Sequence, residues 1–271
     1  MKFGIIGAGN MGRALALGLA QSGAVKAADV CVSNPHTQKL EQLKAAAPDV
    51  NVTTSNVECV READVVVLAV KPWKLAEVVA EVAPAIDSRR QVVCSVAGGV
   101  GLTALQEMFA QAGANPLPPL YYLIPNTAIA QRQSMTFMCS AGSNRETDEC
   151  LLAVFRQLGD AMLVEERLMN AGMVLASCGI ANALRYVRAA TEGGVQLGFR
   201  AADAQHIVAQ TLRGAASLLD AEGAHAEAEI DKVTTPGGLT IRGLNAMERE
   251  GFSNAVVQGL LAAMPESERR G

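Results

Sequence analysis

Three glycines, Gly7, Gly9 and Gly12, stand at the spacing G-x-G-x-x-G inside KFGIIGAGNMG at the start of the chain. Glycines so placed suit a phosphate. The first permits a tight turn, the second lets backbone approach a pyrophosphate, and the third lets a helix pack close to its strand. Asn10 and Met11 begin that helix, whose free N–H groups and partial positive charge face the anion. The pattern alone is weak, and its context carries more weight. Phe3, Ile5 and Ile6 read as a short apolar strand and Asn10 to Gln21 as a helix. Strand, glycine turn and helix then follow in the order a dinucleotide site requires. The simpler alternative is a corner that holds no ligand.

Ligands of open parallel sheets gather outside the carboxyl ends of the strands. The residues ending each apolar run are therefore the next candidates. The second run ends in Ser33 and Asn34, with no carboxylate there to bond a ribose 2′-hydroxyl; Asp29 lies at its start. Hydroxyl and amide groups donate to a 2′-phosphate, and Lys39 is near, so the balance favours NADPH over NADH. The plainer role of Ser33-Asn34 is a turn and helix cap. Ala69, Val70, Lys71 and Pro72 end the next run and put Lys71 on the cofactor side, as a contact to the nicotinamide ribose or as a solvated lysine. Ala97 and Gly98 in SVAGG leave room for a planar ring, and Asn126 in IPNT marks a third such strand end.

These residues need a scaffold. The first half alternates apolar runs with amphipathic stretches. Strands are expected at 28–34, 51–56, 63–72, 91–98, 119–126 and 134–141, and helices at 37–47, 75–82, 102–112 and 145–158. That alternation predicts a doubly wound, Rossmann-like α/β domain with a parallel core. From about Glu166 the chain turns helical and alanine-rich. One long helix is expected from Leu168 to Glu192, broken by GGVQLGF, followed by helices at 201–221, 238–250 and 253–264. The predicted organisation is a nucleotide domain over 1–165, an all-α dimerisation and substrate domain over 166–265, and a charged tail over 266–271.

Composition narrows the partners. The 271 residues carry a net charge of −4 with no basic run, which argues against nucleic acid. Six scattered cysteines without C-x-x-C read as buried thiols of a reducing compartment. Three histidines far apart give no metal motif, so no metal is expected. Met1 leads directly into the first strand, and no apolar run approaches the roughly 20 residues of a membrane span. These features predict a cytoplasmic protein with no signal peptide and no membrane partner.

A more specific likeness emerges when VTTPGGLTIRGL, residues 233–244, joins the earlier motifs. With GIIGAGNMG, VSN, TTSN, AVKP, IPNT, LMNAGMVLASCG, GGVQLG and AQTLRGAA in the same order, nearly the whole chain resembles the pyrroline-5-carboxylate reductase family. The resemblance implies that NADPH gives a hydride to the C=N carbon of a cyclic imine, forming proline. It also implies an intertwined homodimer, or a higher oligomer of dimers, that completes the active site. Carried over by position, Thr234, Thr235, Gly237, Gly238 and Thr240 form the substrate loop. Thr240 bonds the ring nitrogen as the catalytic hydroxyl, and Asn56 contacts the adenosine part of NADPH.

The departures concentrate away from the cofactor motifs. ASCGIAN, Ala176–Asn182, stands where the family has S-G-S-G-P-A-Y, so Cys178 faces the expected pocket in place of serine. Tyr122 stands where arginine is common, Ala128 replaces a proline, and Arg188 replaces a carboxylate. Two alternatives therefore accompany the reductase reading: an imine or 2-keto-acid reductase with another substrate, and a non-catalytic nucleotide-binding paralogue.

Overall fold

Strands such as Val65–Leu68 and Val92–Ser95 bury every residue, which requires helices on both faces of their sheet. The computed structural model, which describes residues 1–266, has this arrangement. Eight strands form one sheet in the order β3-β2-β1-β4-β5-β6-β7-β8. Strands β1 (Phe3–Ile6), β2 (Val30–Ser33), β3 (Asn51–Thr53), β4 (Val65–Leu68), β5 (Val92–Ser95) and β6 (Leu120–Ile124) are mutually parallel. Strand β7 (Ser134–Ala141) runs antiparallel to β6, and β8 (Gly159–Leu163) runs parallel to β7. Strand β1 lies between β2 and β4, so the chain order reverses there. That reversal opens the crevice in which such sheets bind ligands.

Alternation along the strands splits the core in two. Ile5, Val32 and Val67 pack on one face with Leu15, Leu43 and Phe155. Ile6, Val66 and Leu68 pack on the other with Val79, Leu105 and Tyr122. The covering helices are α1 (Asn10–Ser22), α2 (Thr37–Ala46), α3 (Asn56–Arg61), α4 (Leu75–Val82), α5 (Leu102–Gln111) and α6 (Arg145–Arg156).

Several elements differ from the sequence reading. The strand expected within 51–56 is Asn51–Thr53, and Asn56, expected in its exit, opens α3. Ser55 caps that helix by accepting the Glu58 N–H at 3.2 Å, and the Ser-x-x-Glu spacing is the signature of this cap. Strand β8 extends the sheet although Gly159 and Asp160 disfavour strands. The expected single helix from Leu168 is composite. A 3-10 turn leads into α7 (Met169–Gly172), then a π-helical segment at Met173–Cys178, then α8 (Gly179–Gln196).

Gly193 and Gly194 do not break α8. A Cβ on Gly194 would lie 2.8 Å from the Ala204 Cβ, so this glycine serves close helix approach. Gly198, at φ +103°, supplies the left-handed residue that ends the helix instead. Helix α9 spans Ala201–Ser217, shorter than expected. Helix α10 (Ala226–Val233) was not anticipated, and His225 caps it by accepting the Glu227 N–H at 3.3 Å. Helices α11 (Leu239–Arg249) and α12 (Phe252–Ala263) follow. Most of the expected tail, 267–271, lies outside the described residues.

The chain divides into two compact units, Met1–Ser177 and the segment from Cys178 onward. The second unit has almost no core of its own. Helices α8, α10, α11 and α12 bury no residue, and α9 buries only Ala204. Leu184, Phe199, Ile207, Val233, Val256 and Leu261 remain exposed. Among the described residues no helix is long and apolar enough to cross a membrane.

Candidate functional site

The glycine turn at the end of β1 separates what the fold needs from what it leaves open. Gly7 sits at φ +108°, and its N–H donates to the Ser33 carbonyl at 2.8 Å. A Cβ there would lie 2.5 Å from the Ala69 carbonyl oxygen, and one on Gly12 would lie 1.9 Å from the Gly7 oxygen. Both glycines are therefore required by the protein itself. Gly9 is not: a Cβ there meets nothing within 4 Å, and its φ of −74° suits any residue. No side chain caps α1 at this point. Asn10 is exposed and Met11 half-buried beside the opening. The arrangement leaves unclaimed helix N-terminal donors facing free space, which suits a pyrophosphate.

The sheet brings the other cofactor candidates to the same edge. Ser33 is fully buried, and its hydroxyl donates to Asn56 Oδ1 at 2.7 Å. Asn56 Nδ2 in turn donates to Glu81 Oε2 at 2.8 Å. Asn34 is 7% exposed, and its Oδ1 accepts the His36 N–H at 3.0 Å, leaving the amide nitrogen outside that turn. Ala69 and Val70 are half-buried at the end of β4. Lys71 is exposed, with its Nζ 5.9 Å from the centre of the Trp73 ring, just past Pro72. Ala97 is buried, while Gly98 is exposed with open space around it.

Asn126 is more committed than its strand-end position suggests. Its Oδ1 accepts the Ala128 N–H at 3.0 Å and its Nδ2 reaches the Ala176 carbonyl at 3.5 Å. The loop after β5 is tied down twice. The Tyr122 hydroxyl accepts the Gly99 N–H at 3.2 Å, and Glu166 Oε1 accepts the Leu102 N–H at 2.7 Å, capping α5 from a distant part of the chain. Burial raises the Tyr122 hydroxyl above its ordinary range and pushes the Cys139 thiol opposite it up to about 12.

The second unit carries the other candidates. Gly237, at φ +69°, turns the chain after Pro236, and the Gly238 N–H closes the turn onto the Thr235 carbonyl at 2.9 Å. The Thr234 hydroxyl is used locally, donating to the Ile230 carbonyl at 3.1 Å. Gly238 begins α11 without any side-chain cap. Thr240 lies exposed in the first turn of α11, whose N-terminal N–H groups carry a partial positive charge. Cys178 is half-buried at the end of the π segment.

Three contributors escape sequence reading: Glu81, Glu166 and the 76% exposed Trp73. The two carboxylates act across long sequence separations that no local pattern reveals. Trp73 had a visible signal, an aromatic directly after AVKP. Among the described residues no three His, Cys, Asp or Glu side chains converge on a metal position.

The family model for pyrroline-5-carboxylate reductase dimerisation matches residues 166–270, and the model described as NADP oxidoreductase, coenzyme F420-dependent, matches 2–99. The chain is 33% identical to pyrroline-5-carboxylate reductase 1 of Dictyostelium discoideum over 96% of its own length, spanning 48% of that longer protein. It is 32% identical to pyrroline-5-carboxylate reductase 3 of Mus musculus, covering 97% of this chain and 93% of the relative. The solved pyrroline-5-carboxylate reductase of Coxiella burnetii superposes with a TM-score of 0.84 at 26% identity, covering 97% of this chain and 95% of that one. The chain belongs to the pyrroline-5-carboxylate reductase family.

Proposed function

We propose that this protein reduces 1-pyrroline-5-carboxylate to L-proline with NADPH, the last step of proline formation. It is an NAD(P)H-dependent oxidoreductase acting on a C=N bond. The observation that carries the reading is the open cradle at Gly9, beside two glycines that the fold itself demands. It stands in a chain whose second unit matches the reductase's dimerisation family.

The nucleotide is held at the carboxyl edge of the sheet. Gly7, Gly9 and Gly12, with the N–H groups of Asn10 and Met11, take the pyrophosphate. Asn34 and Lys39 take the 2′-phosphate, and Asn56 lies by the adenosine ribose. Lys71 and its neighbours Ala69, Val70 and Pro72, with Ala97, Gly98 and Asn126, border the nicotinamide half. Reduced nicotinamide supplies a hydride. The protein's own part is to hold the imine and its charges. The first turn of α11, with Gly237 and Gly238, grips the substrate carboxylate through backbone N–H groups. Thr234, Thr235 and Cys178 shape the pocket. The Thr240 hydroxyl orients the ring nitrogen and holds the proton it shares with that atom. A protonated imine is already electrophilic, so positioning matters more than a strong acid.

The second unit mediates self-association, and we assign it a homodimer. Its helices expose apolar side chains that a lone chain leaves in water at about 25 cal/mol per Å². Six free cysteines support a reducing, cytoplasmic setting. The reaction is tested by following NADPH oxidation with pyrroline-5-carboxylate, with other cyclic imines and with 2-keto acids. Turnover only of the last two classes, or binding without turnover, would overturn the assignment.

A further inference from the structure

Strand β2 and helix α3 meet along two successive contacts. Cys31 and Ser33, two residues apart, point to the same face of β2. Asn56 and Cys59, three apart, share one side of α3. The upper contact is the Ser33–Asn56 hydrogen bond at the cofactor edge. The lower is a pair of thiols. The Cys59 thiol donates to the Cys31 carbonyl at 3.4 Å and to the Ile5 carbonyl at 3.6 Å, which sets it beside the Cys31 residue. Gly4 makes this approach possible, because a Cβ there would sit 2.4 Å from the Cys59 carbonyl. Both thiols line a cavity of about 280 Å³, open to solvent, with Lys2, Asp29, Asn51 and Glu62 around it.

We propose that Cys31 and Cys59 form a reversible oxidative modification site, closing to a disulfide under hydroperoxide and weakening NADPH binding. Cys31 is half-buried and reachable from the cavity, whereas Cys59 is buried. The neighbouring Cys59 side chain lowers the Cys31 thiol below its usual range, against the opposing effects of burial and of Glu58. The same closeness, with burial, raises Cys59. Cys31 is therefore the thiolate that attacks. Its sulfur takes one peroxide oxygen, leaving a sulfenic acid and releasing hydroxide, which is protonated to water. The Cys59 sulfur then attacks the sulfenic sulfur; the S–S bond forms and a second water leaves. Two thiols lose two electrons and two protons, and one peroxide becomes two waters. A covalent S–S bond of about 2.05 Å is shorter than any non-bonded contact between sulfurs. Helix α3 must then shift on β2, and Asn56 loses its register with Ser33.

The cross-link needs nothing of the reductase reading; its effect on cofactor affinity does. The test treats the reduced, full-length protein with hydrogen peroxide and maps peptides without reductant. The expected product joins the Cys31 and Cys59 peptides, two hydrogens lighter, and dithiothreitol reverses it. The NADPH Kd should rise about tenfold and recover with the reductant, whereas Cys31→Ser and Cys59→Ala should show neither change. Separate oxidation of these cysteines, or a link between other cysteines, would overturn the site. An unchanged Kd in cross-linked protein would overturn its effect. Failure of the reduced protein to bind NADPH would instead count against the nucleotide assignment, with the peptide map still deciding the cross-link.

Discussion

The Ser33 hydroxyl donates to Asn56 Oδ1 at 2.7 Å from a fully buried position. In the proposed cofactor site, that bond withholds the Ser33 hydroxyl from a 2′-phosphate. Ser33 is spent inside the protein, tying β2 to the start of α3, so discrimination falls to its neighbour. Asn34 uses its oxygen to accept the His36 N–H and keeps an amide nitrogen outside that turn. Aspartate at this position can still accept from His36, yet it removes a donor and adds a negative charge. Wild type should therefore prefer NADPH, and Asn34→Asp should cut the ratio of kcat/KM for NADPH over NADH at least tenfold, about 1.4 kcal/mol. Steady-state kinetics with both cofactors check this; an unchanged ratio would remove Asn34 from the phosphate site.

The glycine turn makes a paired forecast. Gly12→Ala pushes a methyl against the Gly7 carbonyl and should destabilise the fold by roughly 1–3 kcal/mol. Gly9→Ala meets no protein atom, so its melting temperature should stay within a few degrees of wild type. Its NADPH Kd should nevertheless rise tenfold or more, because the methyl occupies the space left for the pyrophosphate. Thermal melts alongside cofactor titration separate the two effects. A Gly9→Ala protein that binds NADPH normally would show the open space to be incidental.

Much of the first unit was legible because its signals are local. Val65–Leu68 needs no context to read as a doubly buried strand, and Gly7, Gly9 and Gly12 follow one directly. What stayed hidden depends on partners distant in sequence. Glu81 matters through Asn56 and Glu166 through Leu102, and Gly194 looked like a helix breaker until Ala204 was seen against it. Helix α3 was missed because it is only six residues long, although its Ser55-to-Glu58 cap was visible. The substrate loop was found through likeness to a family rather than through periodicity, since a P-G-G turn alone states no ligand.

The exposed apolar side chains of α8 to α12 require a partner surface. Sedimentation should find dimers or larger assemblies, and no monomer, at micromolar concentration. Replacing Leu184 and Val256, both exposed in the single chain, by aspartate should weaken association and abolish turnover while leaving NADPH binding intact. A fully active monomer would refute the proposed role of the second unit.

Thr240 stands exposed in the first turn of α11, after a turn closed by Thr235 and Gly238. A merely structural first-turn threonine would cost about 1 kcal/mol when lost and leave chemistry untouched. A hydroxyl that orients the imine nitrogen and shares its proton should instead cost about 10²-fold in kcat. Thr240→Ala should melt within a few degrees of wild type, bind NADPH normally and turn over slowly, whereas Thr240→Ser should recover most of the rate. Wild-type kcat in a destabilised Thr240→Ala protein would contradict the assignment.

Hydride transfer to a cyclic imine is read directly by one isotope experiment. NADPH carrying deuterium at the transferable position of its nicotinamide is incubated with the protein and pyrroline-5-carboxylate, and the product is read by NMR and mass spectrometry. The expected product is L-proline with a single deuterium on the former imine carbon, formed in step with NADPH loss. Proline without that deuterium, or no proline while the cofactor remains reduced, would contradict it.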